Sequence, residues 1–266
     1  MPEVDLYNGY YDQFSSDVLG AVRRETYGED LGQSSWMTAD ELRHFISLLQ
    51  LKKSDTLLEV GSGSGGCSLF IAEQIGCQVT GIDINEFGIK NSNELARKKN
   101  LDSFVRFQLI DAGRPLPLED NCFNAVFSND AICHIPGRSR ILKEWHRVLK
   151  PGGRILFTDA LIVTGLVSHE EIARRSSIGY YDYSPPGANE RLIRECNFEL
   201  IRTEDLTAQA ALISERWLNA RERHRDALLK LEGESKFNGL QEFLKCVQKL
   251  SSEKRLSRFM YLAEKS

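Results

Sequence analysis

The chain has 266 residues, which is enough for one large domain or two small ones, since a typical domain has about 150 residues. Its 34 basic and 38 acidic side chains give a formal charge of -4, so it lacks the general basic surface that binds nucleic-acid backbones. The six cysteines show no CxxC spacing, no signal-peptide pattern is visible, and no apolar run reaches the roughly 18 residues of a membrane span. These features predict a cytoplasmic protein with no nucleic-acid or membrane partner.

Helices are predicted for the first 50 residues. Thr38 and Glu41 have the spacing of a capping box, and apolar residues with helical spacing follow them. This pattern predicts that a helix starts at Thr38. We expect residues 1–50 to form a helical lid, because residues 1–37 are not needed to complete a sheet.

From residue 51 onwards, short apolar strands alternate with amphipathic helices. The predicted strands are 56–60, 78–83, 105–111, 124–129 and 154–160, and the predicted helices are 66–75, 86–99 and 138–149. This alternation predicts an α/β, Rossmann-like, doubly wound sheet that is mainly parallel and has helices on both faces.

The remainder of the chain predicts more helices around two further strands. Helices are expected near 168–177 and 187–196, then a strand over 198–206, helices over 208–231 and 238–250, and a final strand over 258–265. We therefore divide the chain into the lid, a core over 51–206, and a segment over 207–266 that forms a helical cap and the final strand. The sequence does not indicate whether these C-terminal helices cap the site or form an interface.

A glycine-rich loop, GSGSGG, follows the first predicted strand. Such a turn lets the backbone approach a ligand at the start of the next helix. Gly61, Gly63 and Gly66 fit the dinucleotide fingerprint, whereas Glu59, Gly61, Gly63 and Gly65 fit the loop of S-adenosylmethionine-dependent methyltransferases. Glu59 favours the second template, because its carboxylate can accept a hydrogen bond from an amino group.

Acidic residues also end the second and third predicted strands. The carboxylate of Asp83 suits two ribose hydroxyls, which is consistent with both templates. Asp111 can accept a hydrogen bond from an adenine amino group, and the backbone amide of Ala112 can donate one to a ring nitrogen. The alternative is that Asp111 only caps a turn.

Asp130 and His134 stand four residues apart just after the fourth predicted strand. A helical turn there would place both side chains on one face, toward the cleft where ligands bind in open α/β sheets. Pro136 disfavours continuing that turn, which keeps His134 near solvent. Next to a carboxylate, this histidine is expected to titrate near neutral pH and to accept a substrate proton. The alternative is that Asp130 caps the turn and His134 packs on it.

Five motifs in this order resemble class I S-adenosylmethionine-dependent methyltransferases: LLEVGSGSGG, TGIDIN, LIDAGRPLP, FNAVFSNDAICHI and EWHRVLKPGGRILFTD. The resemblance covers roughly residues 50–162. It implies a seven-stranded sheet whose last strand is antiparallel, S-adenosylmethionine as cofactor with S-adenosylhomocysteine as product, and no metal. It implies cofactor contacts at Glu59, Gly61, Gly63, Asp83, Ile84, Asp111, Ala112 and Asn129, to which the loop template adds Gly65.

Two further stretches, YGEDLG and DAICH, are similar to the small-molecule branch of sarcosine/dimethylglycine and phosphoethanolamine N-methyltransferases. This similarity favours an amine nitrogen as acceptor, with Asp130 and His134 catalytic and Tyr10, Tyr11 and Tyr181 in contact with the acceptor. The alternatives are O- or C-methylation, a noncatalytic cofactor-binding protein and, more remotely, an NAD-dependent oxidoreductase. A monomer and a homodimer are both consistent with the sequence.

Overall fold

A computed structural model describes residues 11–266 of the protein. Its centre is one seven-stranded sheet with the order β3-β2-β1-β4-β5-β7-β6. The strands are β1 (Thr56–Val60), β2 (Gln78–Asp83), β3 (Val105–Leu109), β4 (Phe123–Ser128), β5 (Leu149–Val163), β6 (Phe198–Asp205) and β7 (Leu256–Lys265). Strands β1 to β5 are parallel, whereas β7 lies antiparallel between β5 and β6. The predicted doubly wound sheet with an antiparallel last strand is confirmed.

Ten α-helices surround this sheet within residues 11–266. They are α1 (Asp17–Tyr27), α2 (Ala39–Leu49), α3 (Gly66–Ile75), α4 (Glu86–Lys98), α5 (Arg138–Val148), α6 (His169–Arg175), α7 (Ala188–Glu195), α8 (Thr207–Arg223), α9 (Arg225–Glu232) and α10 (Glu234–Ser252). Thr38 caps α2 as predicted, since its hydroxyl accepts a hydrogen bond from the backbone N of Glu41 at 3.2 Å.

The single helix predicted over 208–231 is wrong. His224 has non-helical dihedrals (φ -99°, ψ 18°), so α8 ends before it and α9 begins after it. Both Ala220 and Leu228 are nonetheless buried. Helical periodicity therefore continues across the break, which is why it did not reveal the break.

Several strand boundaries also differ from the prediction, and two of these differences have a clear local cause. β3 ends at Leu109 rather than at residue 111, because the side chain of Asp111 accepts from the backbone N of Gly113 and turns the chain. β5 begins at Leu149, five residues early, because Leu149 already pairs with Phe123 of β4 ahead of a register shift.

Three apolar clusters position the site. One face of the sheet packs against α2 and α3, and the other packs against α5 and α7. A third cluster joins α1 to α8 and α10, with Trp36, Trp217 and Phe243 at its centre. The C-terminal helices therefore pack against the N-terminal part of the chain. None of the helices in the described part of the chain is both long and apolar enough to cross a membrane.

Candidate active site

A cavity of about 320 Å³ lies at the carboxyl ends of β1, β2 and β4. Its volume is within the range of about 300 to 1,000 Å³ that small-molecule sites occupy. The cavity brings together nine predicted site residues, namely Tyr11, Gly61, Asp83, Ile84, Asp111, Ala112, Asn129, Asp130 and His134. A larger cavity of about 660 Å³ lies toward the amino ends of β1 and β2 and contains none of them. We place the site in the first cavity, because ligands of open α/β sheets bind at the carboxyl ends of the strands.

The glycine loop needs glycine at several positions. Gly61 and Gly63 have φ values of 79° and 52°, in the left-handed region that other residues rarely adopt. A side chain at Gly61 would collide with Ala131, and one at Gly63 would collide with the hydroxyl of Tyr11. Gly65 is different, because it lies against Phe107 and does not line the cavity. Gly61 therefore lies at this cavity, Gly63 lies against Tyr11, and Gly65 serves packing.

Asp83 connects this loop to the end of β2. Its Oδ2 accepts from the backbone N of Gly63 and its Oδ1 from the backbone N of Asn85, both at 2.8 Å. Burial raises the pKa of the Asp83 carboxyl despite these bonds. Ile84 beside it is an apolar side chain with 69% exposure at the cavity mouth.

A small cavity of about 50 Å³ adjoins the first behind the glycine loop. The hydroxyls of Ser34, Ser62 and Ser64 face it, are buried and have no hydrogen-bond partner within residues 11–266. Glu59 also lines it, bonds to the Ser68 hydroxyl, and has a pKa raised by burial to about 8. Since buried polar groups are normally paired, these atoms fit a ligand with charged donors and acceptors, such as an amino-acid group.

An inner pocket of about 30 Å³ shares Asp130 and His134 with the cavity of about 320 Å³. Its lining includes Trp36, Cys133, Arg175, Tyr181, Trp217 and Phe243. The guanidinium of Arg175 is buried, and its Nε and Nη1 atoms have no hydrogen-bond partner among residues 11–266. It lies 4.7 Å from the ring centroid of Tyr181 and 5.0 Å from that of Phe243. The pocket thus holds a buried positive charge between aromatic rings.

The predicted helical turn from Asp130 to His134 is wrong. Asp130 has φ 52°, and only a short 3-10 helix, Ile132–His134, follows it. The Oδ1 atom of Asp130 accepts hydrogen bonds from Arg258 Nε and from the Thr158 hydroxyl, both at 2.8 Å. Its Oδ2 atom accepts one from the backbone N of Trp36 at 3.1 Å. Buried donors from three other segments of the chain therefore hydrogen-bond to the Asp130 carboxylate.

His134 has its ring at the junction of the two pockets. Its Nδ1 lies 3.2 Å from the carbonyl oxygen of Tyr180, and its ring centroid is 4.4 Å from that of Tyr181. Burial first, and then the positive charge of Arg175, lower the pKa of His134 to about 4. The expected titration near neutral pH is therefore wrong, and the imidazole stays neutral there. Because a carbonyl only accepts, Nδ1 carries the proton and Nε2 is the acceptor atom.

Two of the three predicted acceptor tyrosines lie at the site. Tyr11 lines the first cavity and Tyr181 the inner pocket, whereas Tyr10 lies outside the described residues. Four residues of the inner pocket were not predicted, namely Arg175, Trp36, Trp217 and Phe243, since a basic residue in the last turn of a helix and aromatic residues at helical spacing are ordinary features. No group of three or more potential metal ligands occurs within residues 11–266.

Comparisons with known proteins agree with this geometry. Residues 58–157 match the family model described as a methyltransferase domain. The chain is 26% identical over 204 residues to glycine/sarcosine/dimethylglycine N-methyltransferase of Actinopolyspora halophila, covering 76% of this chain but only 35% of that protein. It is 28% identical over 264 residues to 27-O-demethylrifamycin SV methyltransferase of Amycolatopsis mediterranei, covering 98% and 85% of the two chains. The chain thus spans about a third of the length of the first relative and most of the second.

The fold is shared with solved structures. Phosphoethanolamine N-methyltransferase 2 of Haemonchus contortus, in complex with phosphomonomethylethanolamine and S-adenosylhomocysteine, superposes with a TM-score of 0.81 at 22% identity. The match covers 97% of this chain and 60% of that one. Residues 58–157 therefore match a methyltransferase domain, and the chain shares its fold with that solved structure.

Proposed function

We propose that the protein transfers a methyl group from S-adenosylmethionine to an amine nitrogen of a small acceptor that carries an anionic group. The observation that carries this proposal is the buried Arg175, with two unpaired N–H groups in the inner pocket. The bound cofactor supplies a methyl group on a positively charged sulfur, and the protein aligns donor and acceptor and excludes water.

The cavity of about 320 Å³ and the adjoining cavity of about 50 Å³ together suit the cofactor. Asp83 would accept from the ribose hydroxyls, and Asp111 and Ala112 would contact the adenine near Ile84. Glu59 would accept from the amino group, and the Ser62 and Ser64 hydroxyls would donate to the carboxylate. The last of these roles gives a partner to the Ser62 and Ser64 hydroxyls, which have none within residues 11–266, and this supports the assignment.

The inner pocket suits the anionic end of an acceptor. A buried guanidinium with unpaired donors is costly, and a carboxylate or phosphate oxygen would both neutralise it and accept its hydrogen bonds. The pocket is small, with a volume of about 30 Å³, so it suits a compact group rather than a whole cofactor. The names of the relatives, which include sarcosine and phosphoethanolamine, agree with acceptors that have an amine and an anionic group.

His134 is the proposed base in this arrangement. Its neutral imidazole would accept the proton of the acceptor amine at Nε2, while the Tyr180 carbonyl holds Nδ1. Asp130 would act as a positioning residue rather than as a base, because buried donors occupy its carboxylate. Tyr181 would contact the acceptor beside His134, and Tyr11 would cover the glycine loop from the lid.

Replacing Arg175 with methionine tests the acceptor class. For amines that carry an anionic group, such as phosphoethanolamine and sarcosine, kcat/KM should fall about ten- to a hundredfold, since hydrogen bonds to charged groups contribute about 1.5 to 3 kcal/mol. Amines without an anionic group, such as ethanolamine, should lose no more than about threefold. Arg174→Met is the matched control, because Arg174 forms exposed ion pairs with Glu242 and Glu170. Equal losses for amines with and without an anionic group would reject an anionic acceptor.

Replacing Asp83 with alanine tests the cofactor site. The affinity for S-adenosylhomocysteine should fall about ten- to a hundredfold, because the variant loses charged hydrogen bonds to the ribose. Asp102→Ala is the control, since Asp102 is an exposed turn residue. Calorimetry measures both variants. Parent-like affinity in Asp83→Ala would remove Asp83 from the ribose site.

O-methylation is the second candidate, because the rifamycin-modifying relative matches along nearly the whole chain. Phenols and alcohols included in the same acceptor panel decide between oxygen and nitrogen.

We also propose a cytoplasmic monomer or homodimer without nucleic-acid or membrane partners. This proposal is supported by the six cysteines, all of which are unpaired thiols, and by the acidic net charge.

A further inference from the structure

A single buried arginine joins three segments of the chain beside the site. Arg258 lies on β7, where it donates from Nε to Asp130 Oδ1 at 2.8 Å, from Nη2 to Asn129 Oδ1 at 3.0 Å, and from Nη1 to Glu41 Oε1. Asn129 and Asp130 follow β4, whereas Glu41 lies on α2. The guanidinium is fully buried, so water competes little for these bonds.

Two of the three partners of Arg258, Asn129 and Asp130, line the cavities of the site. Asn129 lines the two proposed cofactor cavities, and Asp130 lines both the first cavity and the inner pocket. Because Asn129 Oδ1 accepts from Arg258, its Nδ2 points to Ser35, where it donates to Oγ at 2.7 Å. Asp130 Oδ2 accepts from the backbone N of Trp36. The Arg258 guanidinium therefore orients the side chains of Asn129 and Asp130. These side chains in turn contact Ser35 and Trp36, which line the inner pocket.

Asp130 also needs support for its backbone. A φ of 52° is unfavourable for a residue with a side chain, and such conformations persist only where surrounding contacts fix them. Thr158 supplies one fixed contact, since its hydroxyl accepts from the backbone N of Asp130 at 2.8 Å. Arg258 supplies the other through the carboxylate. A change at Asp130 would reach His134 through the short 3-10 helix between them.

A purely structural ion pair explains this network poorly. The single positive charge of Arg258 faces two carboxylates, and Oε2 of Glu41 is buried with no hydrogen-bond partner within residues 11–266. Burial raises the pKa of Glu41, so its surroundings oppose the charge. Buried ion pairs often stabilise a fold no more than apolar side chains of similar size. Fixing one arrangement of the cavity-lining residues is a better reason for these charges.

We propose that Arg258 is a positioning residue that acts through Asn129 and Asp130 to hold Trp36 at the inner pocket and His134 at its junction with the first cavity. Its effect on turnover rests on the proposed methyl transfer. Its effect on the position of Trp36 does not, because the hydrogen bond of the Trp36 amide to Asp130 can be followed without any activity.

The test compares Arg258→Met and Arg258→Lys with Arg221→Met. Arg221 is an equally buried arginine, paired with Glu232 and Gln241 among the C-terminal helices, so its loss controls for instability alone. Arg258→Met should raise the exchange rate of the Trp36 amide at least tenfold by NMR and lower kcat at least tenfold. Arg258→Lys keeps the charge but cannot reach three partners, so its kcat should stay at least threefold below the parent. Arg221→Met should keep both values within twofold at a temperature where it is folded.

Parent-like Trp36 exchange in a folded Arg258 variant would overturn the proposal, as would equal changes in Arg221→Met. If Arg258→Met does not fold, Arg258→Lys decides by the same two measurements. If the parent neither binds S-adenosylhomocysteine nor methylates any acceptor, the proposed function fails, and the Trp36 exchange rates still decide whether Arg258 positions Trp36.

Discussion

Replacing His134 with alanine should lower kcat by a factor of about 10² or more while leaving the affinity for S-adenosylhomocysteine within about threefold. A positioned general base typically contributes 10² to 10⁴ to the rate, and the variant retains the groups proposed to bind the cofactor. His146→Ala is the matched control, because His146 packs edge-on against Phe198 on the far side of α5 and also has a lowered pKa. Single-turnover and steady-state rates with an accepted amine measure the effect.

The pH profile gives a second measure of the same role. Burial and the charge of Arg175 lower the pKa of His134 to about 4, so the basic form is complete above about pH 5. Protonation of His134 should therefore cause no loss of kcat between pH 6 and pH 8. Removing the charge in Arg175→Met should raise this pKa and move the acidic limb to higher pH. Unchanged kcat in His134→Ala would exclude it as the base, and an equal loss of cofactor affinity would favour a structural role.

The sequence predicted β1, β2 and α3 to the residue, because glycines and turn residues mark their ends. It also grouped the residues of the first cavity, since strand ends in a parallel sheet meet at one edge. The conformation of Asp130 was not predictable in this way. Its left-handed backbone is held by Thr158 and Arg258, which lie 28 and 128 residues away in sequence.

The inner pocket could not be predicted from the sequence for a related reason. Arg175 has the ordinary position of a basic residue near the end of a helix, where it would normally be exposed. It is buried because aromatic residues of the C-terminal helices, Trp217 and Phe243, close the pocket around it. The packing of α8 and α10 against the N-terminal part of the chain buries this guanidinium, whose Nε and Nη1 have no hydrogen-bond partner among residues 11–266. Local pattern predicts elements, whereas the acceptor pocket is a product of tertiary contacts.

Replacing Glu59 with glutamine should stabilise the cofactor-free protein at high pH and weaken cofactor binding. Burial raises the pKa of Glu59 from about 4.5 to about 8, so the folded protein binds this proton more tightly than the unfolded chain does. Its contribution to the free energy of unfolding is fully present below about pH 4.5, falls as pH rises to about 8, and is lost above that. Glutamine never ionises, so at pH 9 the variant should unfold at least roughly 2 °C above the parent, with little difference at pH 5.

Cofactor binding should change in the opposite direction. Glutamine lacks the negative charge that would pair with the ammonium group, so the affinity for S-adenosylhomocysteine should fall about ten- to a hundredfold. The parent should release a proton from Glu59 on binding at pH 7, and the variant should not, which calorimetry in two buffers of different ionisation enthalpy measures. Glu144→Gln is the control, because Glu144 does not line the cavity and a hydrogen bond from Arg147 lowers the pKa of its carboxyl. This change should destabilise the fold above about pH 4.5 and leave the affinity for S-adenosylhomocysteine unchanged. If Glu59→Gln binds as tightly as the parent and both release the same number of protons, Glu59 anchors the glycine loop through Ser68 and does not contact the cofactor.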